Sequence, residues 1–123
     1  MKAQTRDTAN GTDYKTVEGK LPLQDIDPIA IRTLGEVLQY GIDKYGMENR
    51  TSYKHGIKET YIGALMRHLL AYQEGEEIDP ESGLSHLKHL FFNAYVLIYL
   101  DKIEKIGYND INKLQEVTND YPL

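Results

Sequence analysis

Apolar residues recur at helical spacing in three stretches of the chain. In the first, Ile31, Leu34, Leu38, Ile42 and Tyr45 follow an i, i+3, i+7, i+11, i+14 course. This predicts a helix that opens at Asp27-Pro28 and runs to about Tyr45, with Gly46 placed to end it. The second, expected from about Glu59 to Glu74 with Gly75 beyond, carries two apolar lines, Ile62-Leu65-Leu69-Tyr72 and Tyr61-Ala64-His68-Ala71. Two lines imply two neighbours. The third repeats the Asp-Pro opening at Asp79-Pro80 and is apolar almost all round from Leu84 to Leu100. Yet His86, His89 and Asn93 fall on one face of it, and Ser82 lies one turn earlier on the same line. An unsatisfied buried polar group costs about 1–3 kcal/mol. This stripe is therefore expected to face the inside of a bundle or the floor of a pocket, with a partner for each ring and amide.

Between and beyond these stretches the pattern lapses. Residues 1–19 are polar and aperiodic and read as a flexible N-terminal arm. Lys20-Leu21-Pro22-Leu23 reads as extended, because a residue before proline is pushed out of the α region. A loop from Met47 to Lys58 gathers Arg50, Lys54 and His55, and a short helix through Ile111, Leu114 and Val117 is expected after Asn109. The expected fold is all-α: a small bundle of three main helices plus a short C-terminal helix, within a single domain over 20–123. Three helices can cover one another's stripes only partly when the third is apolar almost all round. The Phe91, Tyr95, Ile98 and Tyr99 side is therefore expected to pack on another copy in a homo-oligomer, a dimer or higher.

Composition narrows the function. A length of 123 residues with 41% hydrophobic and 27% charged residues suits one small globular domain. The net charge of −5 argues against sequence-independent nucleic-acid binding, which relies on many Lys and Arg against phosphate. Cysteine is absent, which removes disulfides, thiolate catalysis and Cys-ligated zinc. No apolar run reaches the roughly 20 residues needed to span a bilayer, and Met1-Lys2-Ala3-Gln4 begins no secretory signal. The expected location is the cytoplasm.

Neither a nucleophile elbow nor a phosphate-cradling glycine loop occurs. The chemistry-bearing residues are His68, His86 and His89, together with an acidic run holding Glu74, Glu76, Glu77, Asp79 and Glu81. Three readings stand. Histidines at i, i+3 can converge on one transition-metal ion, and the carboxylates can hold a hard cation. The histidines can instead be core residues satisfied by Asp, Glu or Asn. Or the stripe can bind a ligand directly, a nucleobase by stacking and edge hydrogen bonds while Lys and Arg take phosphates.

Three blocks carry a resemblance: Gly35-Glu36-Val37-Leu38-Gln39-Tyr40-Gly41-Ile42-Asp43-Lys44-Tyr45-Gly46-Met47-Glu48-Asn49, then Gly63-Ala64-Leu65-Met66-Arg67-His68-Leu69-Leu70-Ala71, then Gly75 through His89. In this order they resemble the phage-associated dATP/dGTP diphosphohydrolase N-terminal family, which is similar to MazG-like all-α nucleotide pyrophosphohydrolases. The resemblance implies a phage or prophage protein, in the host cytoplasm. It would cut a purine deoxynucleoside triphosphate to the monophosphate and pyrophosphate with a divalent metal, Mg or Mn. It implies Lys44, Tyr45 and Asn49 in a nucleotide-side motif, Arg67 and His68 in a second, and Asp79, Glu81, His86 and His89 in a third. On this reading Glu36 and Glu81 are candidate general bases. Lys44, Tyr45, Asn49, Arg50, Arg67, His68 and Asn93 would bind substrate, and Glu77, Asp79, His86 and His89 would hold metal. The wider MazG-like group holds Mg with paired glutamates facing Glu-x-x-Asp, where this chain has Arg67-His68 and His86-x-x-His89-x-x-x-Asn93. The alternative is a non-hydrolytic phage protein that sequesters a nucleotide signal in counter-defence.

Overall fold

A computed structural model describes residues 19–106. The expected arm, save Gly19, and the expected helix after Asn109 lie outside the described residues. The helices belong to one compact unit, Pro28–Asn109, and residues 19–27 to a separate one. In the latter residues 20–22 carry no helix, and Leu23, the last residue of the expected extended stretch, instead opens a 3-10 turn, Leu23–Asp25, closed by Ile26 N–H donating to the Leu23 carbonyl.

Three α-helices and no β-strand occur among the described residues: α1 (Ile29–Tyr45), α2 (Lys58–Gln73) and α3 (His86–Ile106). Pro28 opens α1, its carbonyl accepting the Arg32 N–H at 3.0 Å, and Gly46 ends it with a backbone φ of 100°. The segment joining α1 to α2 folds as two 3-10 turns, Met47–Asn49 and Ser52–His55. Helix α2 ends as predicted, with Gly75 in a left-handed conformation (φ 99°) that L side chains resist.

The start of α3 departs from expectation. Asp79-Pro80 opens a tight turn rather than the helix. Asp79 Oδ2 accepts from Ser82 N (3.2 Å) and Ser82 Oγ (2.7 Å), and the Asp79 carbonyl accepts from Gly83 N (2.8 Å). Gly83 supplies the positive φ of 77°, and Ile78 then pairs with Ser85 in an isolated antiparallel bridge. The turn wins because aspartate bonds its own backbone neighbourhood as readily as a helix end. Ser85 is the working cap, its Oγ accepting the Leu87 N–H at 3.1 Å.

Helix α3 is the element on which the others rest; it packs most extensively with α2 and also with α1 and the Ser52–His55 turn. Its buried residues are His86, His89, Asn93, Val96, Leu100 and Ile103, a single line with alternating steps of three and four. On α1 the buried position is Val37; Leu34, Leu38 and Ile42 of the predicted stripe are half-buried, while its ends, Ile31 (76% exposed) and Tyr45 (62%), are exposed. On α2 the covered line is Tyr61-Ala64-His68-Ala71; Ile62, Leu69 and Tyr72 of the other line stay exposed. Of the predicted oligomer face, Phe91 and Ile98 are exposed. Tyr95 is instead hydrogen-bonded within the chain to Tyr53 (2.8 Å), whose ring also meets those of Phe92 and Tyr99. Lys58 ties the start of α2 to the end of α3 through Glu104 (2.8 Å) and Asp101 (3.4 Å).

Candidate functional site

The three histidines come together because α2 presents His68 from its small-residue line to the polar end of α3. Gly63 and Ala64 keep that face low, and the Arg67 guanidinium folds back over Gly63, 3.1 Å from where a Cβ would stand. His68 Nδ1 lies 2.8 Å from His86 Nδ1, and its ring stacks on that of His89 with centroids 4.5 Å apart and planes 9° from parallel. The turn between α2 and α3 supplies the outer partners. Glu76 Oε1 meets His86 Nε2 at 2.7 Å, and Ser82 Oγ meets His89 Nε2 at 2.6 Å. Asn93 turns back to its own helix, its Nδ2 donating to the His89 carbonyl at 2.9 Å. The predicted inward polar stripe is thus present, with its buried groups satisfied.

Beside the rings lies a cavity of about 360 Å³ lined by Tyr40, Lys44, Ala64, Arg67, His68, Asp79, Glu81, His86 and His89. A second cavity of about 200 Å³ shares Tyr40 and His89 with it and is walled largely by Tyr45, Tyr53, Tyr61, Phe92 and aliphatic α1 residues, with Asn49 and Arg50 at its edge. One chamber is charged and the other aromatic. Burial holds the His68 and His89 imidazoles below the ordinary histidine value; neighbouring imidazoles push the same way and Asp79 opposes them. Burial also pulls the Asp79 carboxyl upward, but the hydrogen bonds from Ser82, with help from the Glu81 N–H and His89, hold it below the usual carboxylate range. Lys44 pairs with Glu81 across the cavity mouth, which depresses the Glu81 carboxyl and raises the lysine.

The predicted residues divide accordingly. Lys44, Arg67, His68, Asp79, Glu81, His86 and His89 meet in the charged chamber. Tyr45, Asn49 and Arg50 border the aromatic one, with Asn49 and Arg50 donating to the Tyr45 and Met47 carbonyls. Glu36 lies outside both linings and pairs with Lys88 at 2.9 Å. Glu77 contributes its backbone carbonyl to His86 N–H (2.9 Å) and lines neither chamber. Among the described residues no three His, Asp or Glu side chains converge as ligands of one ion. The Nε2 atoms of His86 and His89 point at Glu76 and Ser82 instead. As placed, the four expected ligands do not make one coordination shell.

The description of the dATP/dGTP diphosphohydrolase N-terminal family matches residues 10–110. The chain belongs to this family. A dATP/dGTP diphosphohydrolase of Salmonella phage PMBT28 is 36% identical over 89 residues, which is 72% of this chain and 30% of that protein. The chain therefore spans less than a third of the length of this phage relative. No solved structure matches it. Within this member of the diphosphohydrolase N-terminal family, the site also includes Tyr40, Glu76 and Ser82, none singled out as a site residue from sequence, although Ser82 stood on the polar line and Glu76 in the acidic run. Tyr40 sits one turn before Lys44 and could have been found from that spacing. Nothing singled Glu76 out within the acidic run, because its contact with His86 exists only once the turn after α2 doubles back.

Proposed function

We propose that this chain binds a purine deoxynucleoside triphosphate of the dATP/dGTP kind and cleaves it to the monophosphate and pyrophosphate. The observation that carries this reading is the pair of neighbouring chambers that share Tyr40 and His89 in their walls, one charged and one aromatic. A nucleotide needs both kinds of wall. Lys44 and Arg67 would neutralise phosphate oxygens, with Lys44 exchanging Glu81 for the ligand. The base would enter among Tyr45, Tyr53, Tyr61 and Phe92, where stacking is available, with Asn49 and Arg50 at its edge. A divalent ion enters this reading as the counter-ion of the triphosphate, since Mg is commonly held by substrate phosphates. The test is incubation of the full chain with each dNTP and Mg or Mn. Pyrophosphate release from dATP and dGTP ahead of dCTP and dTTP is expected, and no release from any of the four would sink the proposal.

The second reading is sequestration without turnover, favoured by the engagement of His86 and His89 with protein partners rather than toward a common ion. Recovery of an intact nucleotide from the denatured complex supports it. Under either reading the exposed Met66 and Leu70 of α2 and the exposed Leu87, Phe91 and Ile98 of α3 suit packing against a second copy. No described helix is long and apolar enough to cross a membrane.

A further inference from the structure

We propose that Glu76, His86 and His68 form a hydrogen-bonded relay whose open end, His68 Nε2, is the general base for the attacking water. This rests on the hydrolytic reading above. The direction of each bond follows from the atoms available. A carboxylate can only accept, so His86 Nε2 carries the proton shared with Glu76 Oε1 at 2.7 Å. With its one ring proton on Nε2, His86 keeps a lone pair on Nδ1, and the 2.8 Å contact with His68 Nδ1 then takes its proton from His68. His68 keeps its lone pair on Nε2. That ring lines the charged chamber, and no described residue hydrogen-bonds its Nε2.

The neighbouring chain works differently. Ser82 Oγ donates its single proton to Asp79 Oδ2 (2.7 Å), so it must accept from His89 Nε2 (2.6 Å) and from Leu84 N (3.1 Å). With its proton committed to Asp79 and its oxygen accepting two bonds, Ser82 is a positioning residue and no nucleophile. Asp79 and Ser82 thereby hold the His89 ring flat against His68 at 4.5 Å. Two imidazoles stacked this closely repel a second positive charge, so a charge on one ring opposes a charge on the other. The groups facing His68 are Tyr40 and Lys44 from α1, Arg67 from its own helix, and His86 and His89 from α3. Asp79 and Glu81 face it from the turn, and Glu76 reaches it only through His86. Burial is the largest influence holding the His68 imidazole below the ordinary histidine value, followed by His89 and His86.

In the step itself, a water oxygen bonds to one phosphorus of the α–β bridge and the water proton passes to His68 Nε2. The P–O bond of the bridge breaks with its electron pair on the departing oxygen. Monophosphate, pyrophosphate and the proton now on His68, which passes on to solvent, account for every atom of triphosphate and water. His68 is the catalytic residue; His86 and Glu76 act through it.

Two measurements on the full chain decide the matter. Imidazole ¹⁵N–¹H spectra above pH 7 should show His68 protonated on Nδ1 and His86 on Nε2. A proton on His68 Nε2 or on His86 Nδ1 overturns the relay whether or not the protein is active. With dGTP, His68→Gln should lower kcat by about 100-fold or more. Glu76→Gln should lower it by about 10-fold or more and move the acid limb of the kcat profile to lower pH, with partial rescue in Glu76→Asp. A purely structural Glu76 would lower Tm and leave that limb in place, which also overturns the relay. A wild-type chain with the expected tautomers that releases no pyrophosphate from any dNTP overturns the hydrolytic reading, and the base role with it.

Discussion

The two halves of α3 bury the same line of positions with opposite chemistry. His86, His89 and Asn93 occupy the N-terminal half, and Val96, Leu100 and Ile103 the C-terminal half. Geometry treats the six alike, since steps of three and four keep them on one side of the helix. In the aliphatic half, burial alone stabilises, and Val96 is fully enclosed at 0% exposure. In the polar half, burial is tolerable because Glu76, Asp79 and Ser82 reach over from the preceding turn to satisfy the rings. The same helix face is thus a core at one end and a site wall at the other. The difference teaches that position on a helix decides burial, while partners from elsewhere decide whether a polar residue there can be used.

The largest expected effect lies in the aliphatic half. Leu100→Ala should cost about 2–5 kcal/mol of stability, seen as a lower urea midpoint with an unchanged slope. A cost under about 1 kcal/mol would mean that this half is no core. In the polar half, His89→Leu leaves the Ser82–Asp79 pair without its ring partner and should cost about 1–3 kcal/mol. It should also abolish nucleotide-induced thermal stabilisation, whereas Leu100→Ala should retain that increment.

The halves should also separate by pH. His68 and His89 have folded-state values lowered below 6.5, so the unfolded chain binds more protons between the two values. Stability is then full above pH 6.5 and falls as pH drops through that window. Tm should decline from pH 7 to 5 in the wild type, and His68→Gln should flatten the decline; an unchanged slope would detach these rings from the effect. Asn93→Ala removes only a bond to the His89 carbonyl and should cost about 1 kcal/mol. Glu36→Gln breaks an exposed pair with Lys88 and should change stability by no more than about 0.5 kcal/mol. A collapse of turnover in that variant would restore Glu36 as a base, against its place outside both chambers.

Several of these features are legible in residue order alone. The stripe of His86, His89 and Asn93 announces an inward polar line, because an apolar helix leaves it nowhere else to point. The ends of α1 and α2 are equally readable from Gly46 and Gly75. Other features mislead. Asp79-Pro80 has the form of a helix start, yet its carboxylate closes a turn with Ser82, because both outcomes use the same local bond. Ile31 and Tyr45 extend a regular apolar course and still stay largely exposed, because the rest of the fold covers the middle of α1, at Leu34, Val37, Leu38 and Ile42, rather than its ends.

By itself, the order of residues determined that the described chain is helical, that α3 is its most buried member, and that imidazoles would be enclosed along it. Spacing along one helix is a local property, and local properties survive without knowledge of neighbours. Only the tertiary structure decided that His68 meets His86 and stacks on His89, that Glu76 and Ser82 complete the two chains, and that Glu36 and Glu77 stand aside from the chambers. Those relations depend on how far one helix slides along another and how a turn doubles back. A shift of one residue there redirects every side chain without changing a single period in the sequence.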